Sequence, residues 1–556
     1  MQELLKQKIA EVLGIAAHQV AISAPEVNMF GHYSTNVAMR LAKEMKKPPF
    51  ELAAEFAANL ADPMFAKVEA VKPGFINFWI SDAFLQQQFA EGSVAPNIGK
   101  GETVVIDYAA PNIAKPMHVG HLRSTIIGDA LANIHEYVGY KTVRWNYLGD
   151  WGTQFGKLIT AYKLWGKKEE IERDPIGTML TLYVRVSEEA KTNPALDDQA
   201  RAEFKKLEDG DSENRKLWEW FKDESLIEFH KMFKRLGVRF DEEIGEAFYE
   251  DALYDVVKEL KEKELLITGE EGTQIVNLDS QKLPVALIQK SDGASLYITR
   301  DIATMKHRLS RYKPAKLLYV VANQQALHFE QLFAITNLLG LTSAEKVHVK
   351  FGMVLGEDGK KFATREGKLI KLEDLLYKAV SGAYAVVAEK NKDLSEAEKR
   401  AVAEVVGIGA IKYSDLKENR NSDIQFNWEA MLDLHGDTAP YLQYTSVRLS
   451  NIARKVAVQP NKDLSVVDDA LKNGLIKKIL DFNDVVVLCA ETYYTSHLAK
   501  YLVELAKLGN QYYEEHRILE DDNAARQTGR LALMLAVSET IKKGLGLLGI
   551  AVPERM

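Results

Sequence analysis

The sequence predicts an α/β protein of several domains, in which a parallel-sheet domain with helical insertions follows an α+β domain and precedes an all-α domain. Three observations lead to this prediction. A strand–loop–helix–strand run occupies residues 103–147, a charge-dense stretch without strand alternation follows at about 163–235, and a helical pattern dominates after the loop at 356–367. With 556 residues, 46% of them hydrophobic, the chain is long enough for three or four folded units.

The composition excludes several classes of protein. The one cysteine, Cys489, allows no intrachain disulfide and argues against a thiolate-based zinc or iron–sulfur site. The N-terminal residues mix charged and apolar side chains as no secretory signal does, and no apolar run approaches the ~20 residues that a membrane span requires. The net charge of −8 argues against general coating of nucleic acid, so any such contact must use local basic patches. We therefore expect a cytoplasmic protein without membrane segments.

The first domain is predicted from two helical stretches and a strand. Apolar residues recur at helical spacing over residues 5–13, and a proline pair begins a second helical stretch at 49–60. A strand-like run at 74–80 closes the unit. Residues 91–101 are rich in Gly, Pro and small side chains, which predicts a linker and a domain boundary.

The second domain begins with a βαβ unit. A β-branched run at 103–106 enters a proline-containing loop, a helical stretch follows at 119–138, and another strand-like run lies at 142–147. This order is typical of the Rossmann-type parallel sheet that binds nucleotides. Further strand-like runs lie at 273–278, 296–299, 317–321 and 347–353. The remainder of the chain is almost wholly helical in pattern.

The most specific local motif is His118-Val119-Gly120-His121, where the loop after the first strand meets the helix. Two imidazoles at this position would lie beside the positive end of the helix, and Gly120 would let a nucleotide approach the backbone. Composition alone gives an H-x-G-H motif roughly 0.02 times in such a chain. Two surface histidines remain the alternative, and a metal pair is less favoured because no Glu or Cys stands at zincin spacing.

The residues around this motif resemble the signature loop of the class I aminoacyl-tRNA synthetases in its arginyl-tRNA synthetase form. The loop is DYAAPNIAKPMHVGHLRS at 107–124. Further blocks that resemble the same family follow in order: NYLGDWGTQFG at 146–156, YITRD at 297–301, QQALHF at 324–329 and PYLQY at 440–444. Five ordered blocks across nearly the whole chain are far more specific than one tetrapeptide.

The resemblance implies a domain plan and an activity. It implies a tRNA-elbow-binding domain at 1–95, a class I catalytic domain at 96–375 with insertions at about 163–290, a connecting helical segment at 376–420, and a helical anticodon-binding domain at 421–556. The implied reaction activates L-arginine with ATP, supplied with Mg²⁺, and transfers it to the 3′ end of tRNA(Arg). The chain is expected to act as a monomer, and to need its tRNA before it forms the adenylate.

The resemblance also implies which residues handle ATP. The implied ATP contacts are His118, Gly120, His121, His328 and Thr364, and the implied catalytic residues are His118, His121, Lys115 and Arg365. In most class I relatives a second signature loop supplies two lysines to the phosphates, but here Phe362 stands at the first lysine position. Arginyl enzymes with this departure carry a substitute lysine ahead of H-x-G-H, and Lys115 occupies that place. Seen alone, this second loop could equally be an exposed charged turn.

The arginine side chain, a planar cation with five donors, calls for carboxylates around it. The resemblance assigns its recognition to Glu246, Tyr297 and Asp301, and the α-amino and carboxylate end to Asn112 and Gln325. Two alternatives remain open from the residues alone. Asp301 could be a helix N-cap, and Glu246, in an acidic run, could be a solvated surface carboxylate.

Two regions are implied to bind tRNA. In the first domain, Phe75 would stack on a base of the tRNA elbow and Asn77 would bond to its edge, although both could instead belong to a packed strand. In the last domain, aromatic and basic residues including Tyr441 and Arg448 would contact the anticodon, although aromatics at helical spacing are more often core. No metal site of the protein's own is expected.

Two competing functions remain from the sequence. Another synthetase or a nucleotidylyltransferase could share the H-x-G-H loop, but a small transferase has no reason to carry the helical C-terminal domain. A catalytically inactive tRNA-binding paralogue is disfavoured because Lys115, His118, His121 and Asp301 are all present. Pyrophosphate exchange separates an active enzyme from such a paralogue.

Overall fold

The N-terminal unit is a four-stranded antiparallel sheet with helices packed on it. A computed structural model describes residues 1–25, 30–291, 297–356, 359, 370–455 and 458–556. The elements of this unit are α1 (Gln2–Leu13), β1 (Ile22–Ser23), β2 (Tyr33–Thr35), α2 (Val37–Met45), α3 (Pro49–Asn59), β3 (Phe65–Val71), β4 (Phe75–Ile80) and α4 (Asp82–Glu91). The strand order is β1-β2-β4-β3. The predicted helices and the predicted strand at 74–80 are confirmed.

The central domain is built on a five-stranded parallel sheet. Its elements are β5 (Thr103–Asp107), α5 (Val119–Tyr137), β6 (Lys141–Asn146), α6 (Thr153–Trp165), α7 (Lys168–Arg173), α8 (Pro175–Glu189), α9 (Ala195–Glu208), α10 (Ser212–Leu236), β7 (Glu242–Glu243), α11 (Leu253–Glu262), β8 (Leu266–Thr268), β9 (Gln274–Val276), β10 (Ala286–Gln289), α12 (Tyr297–Tyr312), β11 (Lys316–Tyr319), α13 (Ala326–Leu338), β12 (Glu345–His348) and β13 (Val354–Leu355). The parallel order is β12-β11-β5-β6-β7. The predicted βαβ unit is confirmed.

Both faces of this sheet are covered, as a parallel sheet requires. On the central strand β5, Val104 and Ile106 belong to the hydrophobic core shared with α5, whereas Val105 points to a second core with α12 and α13. All three side chains are buried. The predicted helical insertion is confirmed as α6 to α10, which leave the sheet after β6 and return to it at β7.

The sequence prediction was wrong at two strands. Residues 297–299, predicted as part of a strand, begin α12, because Ile298, Ile302 and Met305 recur at helical spacing and all face the core. This longer pattern overrides the local preference of β-branched residues for strands. The run at 347–353 is not one strand, since β12 ends at His348 and the two-residue β13 lies apart from it. The run at 273–278 contains β9, which pairs with β8 and β10 in a separate antiparallel sheet.

The rest of the chain is helical with one short exception. Its elements are α14 (Leu372–Lys390), α15 (Glu396–Leu416), β14 (Ile424–Gln425), α16 (Trp428–Met431), α17 (Ala439–Lys455), α18 (Lys472–Leu480), α19 (Phe482–Thr492), α20 (Ser496–Glu515) and α21 (Ala524–Leu547). The exception, β14, pairs in parallel with β13 and joins this region to the sheet domain. Buried side chains of α15, α17, α20 and α21 continue the same hydrophobic core that underlies α5.

Candidate active site

Two imidazoles cap the first turn of α5. His118 is the N-cap residue, and its Nδ1 accepts a hydrogen bond of 3.0 Å from the backbone N–H of Gly120. The Nδ1 of His121 accepts a hydrogen bond of 3.1 Å from the backbone N–H of His118. The two rings lie 4.0 Å apart between centroids. Two amide groups that a helix start would leave without partners are therefore satisfied by the histidines themselves.

Burial and these hydrogen bonds together determine the protonation state and the tautomer of both rings. Burial lowers the pKa of His118, and burial together with the neighbouring His118 ring lowers the pKa of His121 to about 3. Both rings are therefore neutral near pH 7. Since each Nδ1 accepts a hydrogen bond, each ring carries its proton on Nε2. The motif thus presents two Nε2–H donors beside the positive end of a helix.

Gly120 is required by the way in which His118 folds back over the turn. A Cβ atom at Gly120 would lie 2.9 Å from Cε1 and 3.0 Å from Nδ1 of the His118 ring. Any larger residue would displace the ring and break the cap. Besides the room for a nucleotide that the motif predicts, Gly120 is thus required by a contact within the chain.

The loop ahead of the histidines is strained and tightly held. Ala109, Ala110 and Ala114 have φ angles of 71°, 47° and 60°, in the left-handed region that costs a residue with a side chain free energy. The loop is kept in place by serine hydroxyls. Ala109 N–H donates to Ser124 Oγ at 3.0 Å, and Ala114 N–H donates to Ser225 Oγ of α10 at 3.1 Å. Such strain persists only where neighbouring structure determines the conformation, which is typical of functional loops.

The chain returns to this loop at residues 370–372. Val119 N–H donates to Ile370 O at 3.3 Å, and Leu372 N–H donates to Met117 O at 2.9 Å. His118 pairs with Lys371 in an isolated antiparallel bridge. Residues 370–372, which follow the predicted second signature in sequence, therefore lie beside the H-x-G-H motif. Thr364 and Arg365, predicted for ATP and for catalysis, lie outside the described residues, as does Phe362.

Lys115, predicted to replace a phosphate-binding lysine, is half-buried on the same loop. Its Nζ lies 5.4 Å from the centre of the Tyr183 ring, on α8 of the helical insertion. Asn112 is exposed, and it pairs with Gly149 in an isolated bridge. A Cβ at Gly149 would lie 2.3 Å from Asn112 Oδ1, so this glycine leaves room for the Asn112 side chain.

Carboxylates from separate elements converge near the carboxyl ends of the parallel strands. Glu246 begins the 3₁₀ turn Glu246–Ala252 after β7, Asp150 follows β6, and Asp301 lies on α12. Burial raises the pKa of Glu246 to about 7; Arg300 opposes the rise, while Asp150, Asp301 and Glu250 add to it. Glu246 is half-buried, which argues against the solvated-surface alternative, and the cluster has an excess of negative charge.

Arg300, a cation beside this cluster, already has a partner. Arg300 forms an ion pair with Glu250, and its Nε is buried without a hydrogen-bond partner among the described residues. Asp107, at the end of β5, is neutralised by Arg308, whose Nη2 lies 2.7 Å from Asp107 Oδ2. Asp150, Glu246 and Asp301 are left without a basic side chain that forms an ion pair with them in the described structure, apart from a histidine at Asp301. An incoming cation would be attracted to this cluster.

Asp301 is bonded across to the next helix. His328 Nε2–H donates to Asp301 Oδ2 at 2.6 Å. Asp301 is inside α12 and not at its start, so the N-cap alternative is wrong. The structure thus joins a residue predicted for arginine to one predicted for ATP. Of the other predicted arginine residues, Tyr297 is 70% exposed and Gln325 is exposed at the end of the 3₁₀ turn Asn323–Gln325.

The predicted tRNA residues differ in their accessibility. Phe75 is 37% exposed, but Asn77 is only 4% exposed, and its Oδ1 accepts a hydrogen bond from Ser34 Oγ at 2.8 Å. Asn77 therefore does not present that oxygen to a base in this structure. On α17, Tyr441 OH accepts a hydrogen bond of 3.0 Å from Asn510 Nδ2, and Arg448 is half-buried, with its guanidinium 4.8 Å from the Tyr513 ring centre.

Sequence reasoning did not single out Asp150, Arg300 or Arg308 as site residues. A signal existed for Asp150, because it directly follows β6 at the edge where ligands bind to parallel sheets. Arg300 and Arg308 gave no local signal, because their partners are distant in sequence. Arg308 and Asp107, for example, are separated by 201 positions.

Comparisons with known proteins cover the whole chain. The profile of tRNA synthetases class I (R), catalytic domain, matches residues 84–428. The arginyl tRNA synthetase N terminal domain matches residues 1–80, and the DALR anticodon binding domain matches residues 442–556. The arginine–tRNA ligase of Streptococcus suis is 45% identical over 528 residues, which are 93% of each chain. That of an Exiguobacterium species is 41% identical over 561 residues, or 100% of this chain and 99% of the relative.

Two solved structures of arginyl-tRNA synthetases are similar to this chain over its whole length. The arginyl-tRNA synthetase of Thermus thermophilus has a TM-score of 0.86 at 25% identity, and the match covers 100% of both chains. That of Plasmodium falciparum has a TM-score of 0.83 at 26% identity, with 100% of this chain and 98% of the other covered. In the described part of the chain, no helix combines the length and the apolar character that a membrane span requires.

Proposed function

The chain belongs to the class I arginyl-tRNA synthetases, and we propose that the imidazoles at the start of α5 and the carboxylate cluster carry its reaction. It is an arginine–tRNA ligase. Such an enzyme activates arginine with ATP and transfers the arginyl group to tRNA. In the first step the arginine carboxylate attacks the α-phosphate and pyrophosphate leaves, so the enzyme must align the reactants and stabilise the equatorial oxygens.

The observation that carries the proposal is the fixed state of the two rings. A neutral imidazole that accepts at Nδ1 offers a donor at Nε2, with its orientation set before the substrate arrives. His118 and His121 then donate to α-phosphate oxygens whose charge grows in the transition state. Donors that are already oriented cost no reorganisation when the charge develops, which is the main source of such catalysis.

Arginine recognition is proposed for the carboxylate cluster. Glu246 and Asp301 bind the guanidinium, where a cation offsets the burial and the neighbouring negative charge that raise the pKa of Glu246. Tyr297 covers the side chain, and Asn112 and Gln325 hold the α-amino and carboxylate end. The bond between Asp301 and His328 places the arginine contact next to a proposed ATP contact.

The remaining ATP contacts are proposed from position. ATP enters as its Mg²⁺ complex, with Gly120 and Thr364 beside its phosphates. Lys115 and Arg365 supply the cations that the second loop of other class I enzymes provides through lysines. The return of the chain at 370–372 beside His118 supports a shared phosphate site.

Binding of tRNA is proposed for both ends of the chain. Exposed Phe75 stacks on a base, and Asn77 reaches a base edge only if its bond to Ser34 is exchanged. Tyr441 and Arg448 contribute at the anticodon, in the region that matches the anticodon binding domain. We further propose a monomer in the cytoplasm. All three family matches lie on one chain, and the single cysteine is buried and free.

The experiment that tests the proposal is ATP–pyrophosphate exchange with each amino acid, with and without cognate tRNA. Exchange is expected with arginine alone among the amino acids, and only when tRNA is present. His118→Ala and His121→Ala should each lower the exchange rate by ~10²-fold or more and leave tRNA affinity unchanged. Wild-type exchange in both variants would refute the assignment of the phosphate donors.

A further inference from the structure

Asp150 lies directly over the turn that carries Glu246. Its Oδ1 accepts a hydrogen bond of 2.9 Å from the backbone N–H of Ala247. A Cβ at Gly245 would lie 2.5 Å from Cγ and Oδ1 of Asp150 and 2.6 Å from its Oδ2. The φ of Gly245 is −98°, so its backbone does not require glycine. The glycine is therefore needed for the space that the Asp150 carboxylate occupies.

Two hydrogen bonds hold this turn against the loop after β6. Besides the bond to Asp150, the backbone N–H of Glu246 donates to Leu148 O at 3.1 Å. Asp150 is itself held from the other side, because the indole Nε1–H of Trp218 on α10 donates to Asp150 O at 2.7 Å. Asp150 is 4% exposed. The helical insertion thus fixes Asp150, and Asp150 fixes the residues that flank Glu246.

We propose that Asp150 is a positioning residue for arginine recognition, which holds residues 245–247 so that the Glu246 carboxylate meets the guanidinium. This inference rests on the proposed role of Glu246 and adds to it a residue that does not itself touch the substrate. The backbone N–H of Ala247 donates to the Asp150 carboxylate, and Gly245 carries no side chain that would occupy the same space.

The charge of Asp150 gives a second, independent readout. The charged groups that face Glu246 are Asp150, Asp301, Glu250 and Arg300, with the phenol of Tyr147 also near. Asp150 is one of the carboxylates that raise the pKa of Glu246. Removing its charge should lower that pKa, so the acid limb of kcat/KM for arginine should move to lower pH. Removing a carboxylate that does not lie beside Glu246, such as Asp174, should leave the acid limb in place.

The test measures the KM values for arginine and for ATP in the full chain with saturating tRNA. Asp150→Ala should raise the arginine KM by about tenfold, the loss expected for one positioning hydrogen bond, with the ATP KM within about twofold. Gly245→Ala should have the same effect because the new methyl group displaces the carboxylate. Asp150→Asn should keep the arginine KM within about threefold, since its amide oxygen still accepts from Ala247 N–H, and should shift the acid limb.

Matched controls exist in the insertion. Asp174 accepts a hydrogen bond of 3.1 Å from Gly177 N–H, and a Cβ at Gly177 would lie 2.1 Å from Asp174 Oδ2. Asp174→Ala and Gly177→Ala therefore repeat the same changes at the start of α8, on a different element from the cluster, and should leave the arginine KM unchanged. Circular dichroism of each variant reports folding. If Asp150→Ala does not fold, Gly245→Ala and the pH profile of Asp150→Asn still test the positioning role of Asp150.

Glu246→Gln separates failure of this inference from failure of the proposed function. If Glu246→Gln raises the arginine KM while Asp150→Ala and Gly245→Ala leave it within about twofold, the positioning role is overturned and arginine binding by Glu246 stands. If Glu246→Gln itself has no effect on arginine, the assignment of Glu246 is overturned and the positioning role with it. An unmoved acid limb in Asp150→Asn also counts against the inference.

Discussion

Replacing His118 by Asn or by Gln separates the two functions that we assign to its ring. The Nδ1 atom caps α5 by accepting from Gly120 N–H at 3.0 Å, and Nε2–H is the proposed phosphate donor. An Asn side chain places an oxygen near the position of Nδ1, whereas a Gln side chain reaches the position of Nε2 with an amide N–H. His118→Asn thus keeps the cap and loses the donor, and His118→Gln does the reverse.

The expected magnitudes differ enough to be told apart. Loss of an oriented donor to a developing charge costs about 10²–10³-fold in rate. Loss of a helix N-cap hydrogen bond costs about 1 kcal/mol of stability. His118→Asn should therefore lower the rate of adenylate formation by ~10²-fold or more with little change in stability. His118→Gln should lose about 1 kcal/mol around α5 and less than about tenfold in rate.

The assay is single-turnover adenylate formation at saturating arginine, ATP and tRNA, together with hydrogen exchange of the amides in the first turn of α5. Ser395→Ala is the control, because Ser395 Oγ caps α15 through a 3.3 Å bond from Glu398 N–H. It should lose cap stability without loss of rate. A wild-type rate in His118→Asn, with the same exchange protection, would show that Nε2 is not a catalytic donor.

Further predictions concern the arginine pocket, the altered loop and tRNA. Because the pKa of Glu246 is raised to about 7, its ionised form is lost as pH falls through that value, so the arginine KM should rise from pH 8 to pH 6, and Glu246→Gln should flatten this dependence. Asp301→Asn should raise the arginine KM at least about thirtyfold, from ~2 kcal/mol or more of lost pairing, and change the ATP KM little; the opposite pattern would make Asp301 a nucleotide residue. Lys115→Ala should impair exchange more than Lys361→Ala, and the reverse ranking would show that the loop is misaligned. Truncation at about Lys417 should abolish exchange, with circular dichroism as the control because the removed helices share the core under α5; exchange by the intact enzyme without tRNA would refute the coupling.

Local patterns predicted the elements whose determinants are local. The βαβ unit over residues 103–147 followed from strand-like runs on either side of a helical stretch, and the structure confirms it. The position of the H-x-G-H motif at the start of α5 was also predictable from local sequence, since a histidine at a helix start can cap the turn within a few residues. At 297–299 the local pattern failed, because the burial of Ile298, Ile302 and Met305 favours a helix over the strand preference of each residue.

The charge balance of the site could not be predicted in the same way. Asp150 meets Ala247 across 97 positions and Arg308 meets Asp107 across 201, and only the folded sheet brings them together. Sequence alone therefore identified carboxylates but not which of them remain without a cation. Arg308 pairs with Asp107 and Arg300 pairs with Glu250, so Asp150, Glu246 and Asp301 have no Lys or Arg partner in the described structure, which supports the proposal that an arginine guanidinium binds there.

The contacts of α5 limit how tRNA can act on the proposed phosphate site. Arg123 of α5 forms a buried two-pronged ion pair with Asp415 of α15, at 2.9 and 3.1 Å, and also donates to Gly352 O at 2.8 Å. Breaking a buried pair by removing one partner costs ~3–5 kcal/mol, so α5 and α15 should move as one body. Lys412 of α15 donates to Gly549 O, just beyond α21, at 2.6 Å, which extends this body to the end of the helical domain. The imidazoles are thus oriented by their own caps and by a rigid support, and tRNA is not needed to orient them. We therefore expect the tRNA requirement to arise from groups outside this body, such as those of the proposed arginine pocket.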